Sequence, residues 1–423
     1  MTARLHTLDN GVRVICDPMP GLKTLAAVVA VRGGARWEDE ARAGWSHLLE
    51  HLVFKGAGEM GAREIVERIE AQGGAINAAT GYERTSFQVR TLDGCLPTAL
   101  QVLSDLVFRP TLAPVEIERE KDVVAQEIAE AYDTPDDHVF EMAQAAAFAG
   151  QPLGRPILGS TTSLGGADAA AIEAWRRVLY SPDRMVVSVA GAVDEAELLD
   201  LARRWFGGQA SAPAEAPAPA RFVGGPATEA RRIEQANLVF QIPAPAATDP
   251  AQPALRLFAE ILGGGMASRL FQEAREARGL AYAIDAYFET YEDAGLVGIY
   301  AGAAADKAEE LARLAAREVR ALCERGPDEA ELARARAQVR AGIFMSEESP
   351  ASRAERLAAQ TLIYGAPVSP EDSAAKVAAV TAEDMRALGA RLLSPGKAAA
   401  AVLGPRAAAP AAAAFAEALY GGR

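Results

Sequence analysis

Two imidazoles and a carboxylate stand at i, i+3 and i+4 in His47-Leu48-Leu49-Glu50-His51, offsets that share one face of an α-helix. Two neutral imidazoles four residues apart can grip one zinc ion. The carboxylate, one turn from the first histidine, then stays free to handle a water proton. The chain has four histidines, His6, His47, His51 and His138, so a histidine-based site has one address. Apolar Leu48, Leu49, Leu52, Val53 and Phe54 crowd around the triplet. A helix of that pattern is mostly buried, and its histidines need partners.

Zinc held by protein needs a third ligand, and a hydrolytic site keeps the fourth position for water. The stretch PVEIEREKDVVAQEIAEAY, Pro114 to Tyr132, supplies acidic candidates on a long helical pattern that opens with proline. Glu120, Val124, Glu127 and Ala131 fall on one stripe of that helix. Glu120 and Glu127 are two turns apart, about 10 Å along the axis, too far for both to bind one ion directly. One should be a ligand and the other a carboxylate that orders the ligand shell or faces substrate. Glu116, Glu118 and Glu130 suit the solvated face.

The order H-x-x-E-H inverts the commoner H-E-x-x-H zinc helix and is the signature of the inverzincins. With its flanks, G-W-S-H-L-L-E-H-L-V-F-K-G from Gly44 to Gly56, the motif resembles the zinc helix of the pitrilysin-like family. That family includes insulin-degrading enzyme and the mitochondrial processing peptidases. The resemblance implies zinc, one ion per chain, with His47, His51 and Glu127 as ligands, because the family's third ligand follows the second histidine by about 75 residues. It also implies that Glu120, seven residues earlier, orders that shell.

Two further segments resemble the family. In GGGMASRLFQEAREARGLAY, Gly263 to Tyr282, the pair Arg275 and Tyr282 matches an arginine and a tyrosine seven apart. The resemblance implies that the arginine holds the peptide backbone and the tyrosine donates to the oxyanion. On the residues alone, the arginines suit a helix C-terminus capped by Gly279, with Tyr282 opening a strand. Gly263 to Gly265 reads either as a flexible substrate loop, as the resemblance allows, or as a helix cap or tight bend. The second segment, GGAINAATGYERTSFQV from Gly73 to Val89, reads as a turn entering a strand. In the family it is an edge strand beside the zinc to which a peptide adds, which makes Asn77 and Ala78 candidate substrate contacts.

The elements that position these groups fall into two similar sets. The first opens with alternation around the Asn10-Gly11 turn and the strand-like Leu25 to Val31, then passes to helix. The second opens with strand-like Asn237 to Ile242 and the helix Pro253 to Leu262. Between them QASAPAEAPAPAR is poor in core residues and should run extended as a linker. The expected fold class is α+β, with two homologous αβ-roll domains of mixed, mainly antiparallel sheet and packed helices. The expected boundaries are 1–208 for a catalytic zinc-binding domain, 209–221 for the linker and 222–423 for a homologous domain without zinc. The tail from Lys397 onward, broken by Pro405 and Pro410, reads as a strand followed by a surface helix. The resemblance covers essentially the whole chain and implies that the two halves form half of a clamshell.

A chain of 423 residues, half of them apolar, has ample material for more than one core. No run approaches the 18 apolar residues that a membrane helix needs, and MTARLHTLDNGVRV lacks the apolar core of a signal peptide. The three cysteines, Cys16, Cys95 and Cys323, are isolated, so neither a disulfide framework nor a thiolate metal site is implied. A formal charge of −14 argues against nucleic acid and anionic membranes as partners. A cytoplasmic location is expected.

Together these readings describe a zinc-dependent endopeptidase or oligopeptidase acting on short or unfolded peptides, with Glu50 as general base and then acid. Both the zinc motif and the Arg275/Tyr282 pair occur in one chain, and since some members of the family divide them between two subunits, the resemblance implies a homodimer rather than a heterodimer with a related subunit. The competing expectation is a non-catalytic scaffold or peptide-binding subunit of the same fold.

Overall fold

The segment LAAVVAV at 25–31 is apolar at every position, which suits a strand covered on both faces. In the computed structural model, which describes residues 3–421, it is the centre of a six-stranded sheet. The strands of the first part are β1 (Arg4–Thr7), β2 (Arg13–Pro18), β3 (Thr24–Arg32), the short pair β4 (Gly56–Ala57) and β5 (Met60–Gly61), β6 (Ala75–Thr80), β7 (Arg84–Leu92) and β8 (Met185–Gly191). A second sheet uses β9 (Gly225–Ala230), β10 (Gln235–Ala244), β11 (Ala283–Thr290), β12 (Gly295–Ala304) and β13 (Ala399–Gly404).

The sheet orders are β1-β2-β8-β3-β7-β6 and β11-β12-β10-β13-β9. Within the first, only β2 and β8 run parallel; within the second, only β13 and β9 do. Counted inward from β6 and from β11, the two sheets therefore repeat the same five positions with the same directions. This is the α+β architecture of two like units read from the sequence, and topology shows the likeness better than residue identity does.

The units are not the contiguous stretches 1–208 and 222–423. One runs through Ile128 and adds Pro156–Pro217 and Phe344–Pro370; the other comprises Ala129–Arg155, Ala218–Ile343 and Glu371 onward. In the first, helix Pro350–Tyr364 covers the outer face of the sheet, with Ala354, Leu357 and Ala358 against Ile15, Ala26, Val28 and Val186. In the second, helix Pro135–Ala147 places Val139 and Ala143 against Val239, Ala401 and Leu403. Each half of the chain thus lends one helix to the other half's sheet. Periodicity reveals the apolar face of such a helix but not which sheet receives it. The Ala/Pro stretch 209–221 carries no regular secondary structure.

The tail also departs from expectation. Helix Pro410–Tyr420 is a core element, burying Ala411, Ala412, Ala414, Phe415 and Leu419, and Phe415 stacks on Phe240 at 4.4 Å between ring centroids. Its small alanines allow close packing on the neighbouring helix, which alanine composition alone does not distinguish from a surface helix. Among the described residues no helix is long and apolar enough to cross a membrane.

A charged lock holds the lent helix to the first sheet. Arg353 donates to both carboxylate oxygens of Asp17, at 2.6 and 2.8 Å, and the Asp17 side chain is 1% exposed. Removing one charge of a buried pair leaves the other poorly compensated. Arg353→Met should therefore destabilise the protein by about 3 kcal/mol in chemical denaturation, and Asp17→Leu in the same background should recover part of that loss. No change in the single variant would show that the lock contributes nothing.

Candidate metal centre

The histidine helix, Trp45–Val53, is set by its apolar side: Leu48, Leu49, Leu52 and Val53 are at most 1% exposed. That burial leaves His47, Glu50 and His51 on the half-buried side. Its start is fixed by Gly44 at φ 87°, where a Cβ would stand 2.4 Å from the Leu158 carbonyl oxygen. The buried Glu38 carboxylate accepts from the backbone N–H groups of Gly44 (2.8 Å) and Ser46 (2.6 Å). A carboxylate at this end satisfies otherwise free amides and suits the helix dipole.

The glutamate helix, Pro114–Asp133, brings its two candidates to different places, as the two-turn spacing requires. Glu127 Oε2 lies 3.6 Å from His51 Nε2 and 3.9 Å from His47 Nε2. Ligand atoms around a tetrahedral zinc, with bonds of about 2.1 Å, stand about 3.4 Å apart. His47, His51 and Glu127 form the one cluster among the described residues whose donor atoms, all within 4.8 Å of one another, could hold a metal ion. Glu127 Oε2 and His47 Nδ1 are buried without a hydrogen-bond partner among the described residues, an expensive condition for a carboxylate. Two nitrogens and one carboxylate oxygen, with no sulfur, make a donor set that fits zinc.

Glu120 sits one shell back. Its side chain is 5% exposed, with Oε2 3.1 Å from His51 Nδ1 and Oε1 2.8 Å from Lys55 Nζ. A carboxylate on Nδ1 holds that nitrogen protonated and leaves Nε2 to face Glu127. Burial first, and the nearby His51 second, push the His47 pKa down to about 4, so its imidazole is neutral at pH 7 with a lone pair to offer. Burial raises the Glu50 carboxyl above its ordinary value, opposed by the Thr80 hydroxyl that donates to its Oε2 at 2.5 Å. A raised carboxyl is a better proton acceptor near neutrality.

The remaining candidates lie elsewhere. Asn77 and Ala78 are on β6, the edge of the first sheet; Ala78 faces inward and Asn77 is exposed on the other face. Arg275 and Tyr282 belong to the second unit. Arg275 lies in a π-helical turn, Phe271–Glu276, with its guanidinium 4.8 Å from the Phe271 ring centre. Tyr282 is 67% exposed, and its N–H donates to Gly302 where β11 begins. Helix Gln252–Gly263 ends with Gly264 as its cap, and Gly264 and Gly265 form an exposed bend beyond it. Glu38, Lys55 and Thr80 were not singled out from the sequence. Lys55 lies in the turn just after the histidine helix.

Two family models match most of the chain. Residues 13–161 match the model described as insulinase (peptidase family M16), and residues 167–339 match the peptidase M16 inactive domain. The chain belongs to peptidase family M16. Its relatives include an uncharacterized zinc protease of Rickettsia bellii, 34% identical over 94% of this chain and 96% of its own length. Another, of Bacillus subtilis, is 32% identical over 92% and 95%. The fold is shared with a protease of Helicobacter pylori (TM-score 0.87, 20% identity, 95% and 99% covered). It is also shared with an M16 inactive-domain protein of Pseudomonas fluorescens (TM-score 0.87, 21% identity, 96% and 98% covered). In this M16 chain all four histidines lie before residue 139, so the three-donor cluster belongs to the insulinase-like part.

Zinc should raise the unfolding midpoint by linkage, about 4 kcal/mol at a thousandfold excess over the dissociation constant. Glu127→Ala should abolish that rise, and Glu120→Gln should weaken zinc affinity by about 10- to 100-fold. Calorimetry against a competing chelator measures both, and an equal zinc response in all three proteins would refute the ligand assignment.

Proposed function

We propose that this chain is a zinc-dependent endopeptidase of short or unfolded peptides. The observation that carries the reading is the convergence of His47, His51 and Glu127 around one point, with Glu50 on the same helix face and already held by a hydroxyl. A zinc ion held by those three residues would supply Lewis-acid chemistry, making water easier to deprotonate and a carbonyl more open to attack.

The protein's own groups account for the rest. Glu50 takes the proton from the attacking water and returns it to the leaving amine, acting as base and then acid. Glu120 keeps His51 in one tautomer through Nδ1, and Lys55 holds the other Glu120 oxygen in place. The outer edge of β6 offers backbone groups to an extended peptide, a pairing tolerant of side chains and therefore suited to broad specificity. Asn77 and Ala78 would then be its contacts. Arg275 and Tyr282, both exposed, would serve substrate bound to a second copy of the chain, the arginine holding peptide backbone and the tyrosine donating to the oxygen that gains charge.

The test is digestion of a mixed library of unstructured peptides by the native protein and by Glu50→Gln, with zinc measured in both. Native turnover should fall by about 10²- to 10⁴-fold in the variant, with zinc retained at one equivalent. A zinc-loaded native protein that cleaves nothing would point instead to a scaffold or a peptide-binding subunit.

A further inference from the structure

We infer that Thr80 is a positioning residue for the Glu50 carboxylate, so that the edge strand on which a peptide would pair also sets the group that accepts the proton. The inference rests on the peptidase reading. Thr80 is the last residue of β6, and its Oγ1 donates to Glu50 Oε2 at 2.5 Å. The Thr80 backbone also hydrogen-bonds the same carboxylate, so one strand residue holds Glu50 through its hydroxyl and its main chain together. A glutamate side chain has three torsions to immobilise, and a hydrogen bond from a group that is itself fixed selects one arrangement in advance.

The strand places the hydroxyl by alternation. Ile76, Ala78 and Thr80 form the half-buried row of β6, while Ala75, Asn77 and Ala79 are exposed. Ile76 and Ala78 pack on the core that also holds Leu48, Leu49 and Leu52 of the histidine helix. Thr80 continues this row to where the row meets Glu50. One register step would turn the hydroxyl to the other face.

The support behind Thr80 is stiff. It pairs with Thr85 across the hairpin, and Gly81 N–H donates to Arg84 O at 2.7 Å. The hairpin tip is tied to the segment after β3 by three backbone bonds: Gly33 N–H to Glu83 O (3.0 Å), Ala35 N–H to Gly81 O (3.1 Å) and Arg36 N–H to Tyr82 O (2.8 Å). The Thr85 hydroxyl donates to Gly33 O at 3.0 Å. Gly34 permits this approach, because a Cβ there would lie 2.2 Å from the Gly81 oxygen. A hairpin tip bound this closely is a fixed mount for a side chain that orients another.

Thr80→Val keeps the shape and the backbone bond but removes the hydroxyl donor, Thr80→Ser keeps the hydroxyl, and Thr80→Ala removes it without a branched methyl should the valine variant fold poorly. Peptide turnover, zinc content and thermal midpoint are measured for each, alone and combined with Glu50→Gln. Loss of a hydrogen bond to a charged group predicts a fall in kcat of about 10- to 100-fold. KM should stay within about twofold and zinc at one equivalent, and Thr80→Ser should recover most of the rate. In the Glu50→Gln background Thr80→Val should cost little more, because a residue acting through Glu50 has nothing left to position. An active native protein with undiminished kcat in Thr80→Val, or with the full loss repeated in the double variant, overturns the inference alone. An inert, zinc-loaded native protein overturns the peptidase reading and this inference with it.

Discussion

One helix must serve two masters, and the rest of the first unit follows from that constraint. The histidine helix is anchored by four apolar side chains that cannot leave the core, which fixes its rotation and hence the direction of His47, Glu50 and His51. It cannot turn to suit its polar groups, so every partner they need comes from another element. Glu120 and Glu127 come from the helix Pro114–Asp133, Thr80 from the edge strand, and Glu38 from the segment before the helix. The centre is thus a convergence on a helix whose orientation is decided by packing. Precision of this kind is cheaper to maintain on regular elements than on loops.

The repeated sheet order gives a second constraint. Two sheets with the same five-strand order and the same single parallel contact have the same backbone needs, so both halves keep strand patterns that a reader can find. Chemistry imposes no such symmetry. After residue 138 the chain has no histidine, and the second copy keeps the scaffold without the donors. The exchange of one helix in each direction means that neither sheet has its outer face covered by helices from its own half alone. The lock between Asp17 and Arg353 accordingly joins residues far apart in sequence.

What was legible followed from periodicity and spacing. The offsets of His47, Glu50 and His51 gave the metal-binding face, and the seven-residue step from Glu120 to Glu127 gave two carboxylates that could not share one ion; the structure places them at His51 Nδ1 and beside the two Nε2 atoms respectively. Short apolar, β-branched runs placed β3 and β10 to within a residue or two. Thr80 was not legible, because a threonine in a strand fits its local preference and nothing along the chain reports that Glu50 lies across from it. Glu38 was hidden likewise, being six residues before the glycine it caps. The destinations of Pro135–Ala147 and Pro350–Tyr364 were unreadable for a different reason: an amphipathic helix records that it has a buried face and is silent on what buries it.

Charge supplies the last step. Around the centre, Glu50, Glu120 and Glu127 are carboxylates in part-buried surroundings, His47 is held neutral, and Lys55 is the cation that touches Glu120. With all three acids ionised and Lys55 charged, this group carries about two negative charges in a setting where unbalanced charge is expensive. Protonation of Glu50 could relieve part of that excess but would remove the base. A divalent cation held by His47, His51 and Glu127 would balance that excess without a proton on Glu50. Bound there, zinc would offset the crowded carboxylates as well as supply the chemistry that activates water.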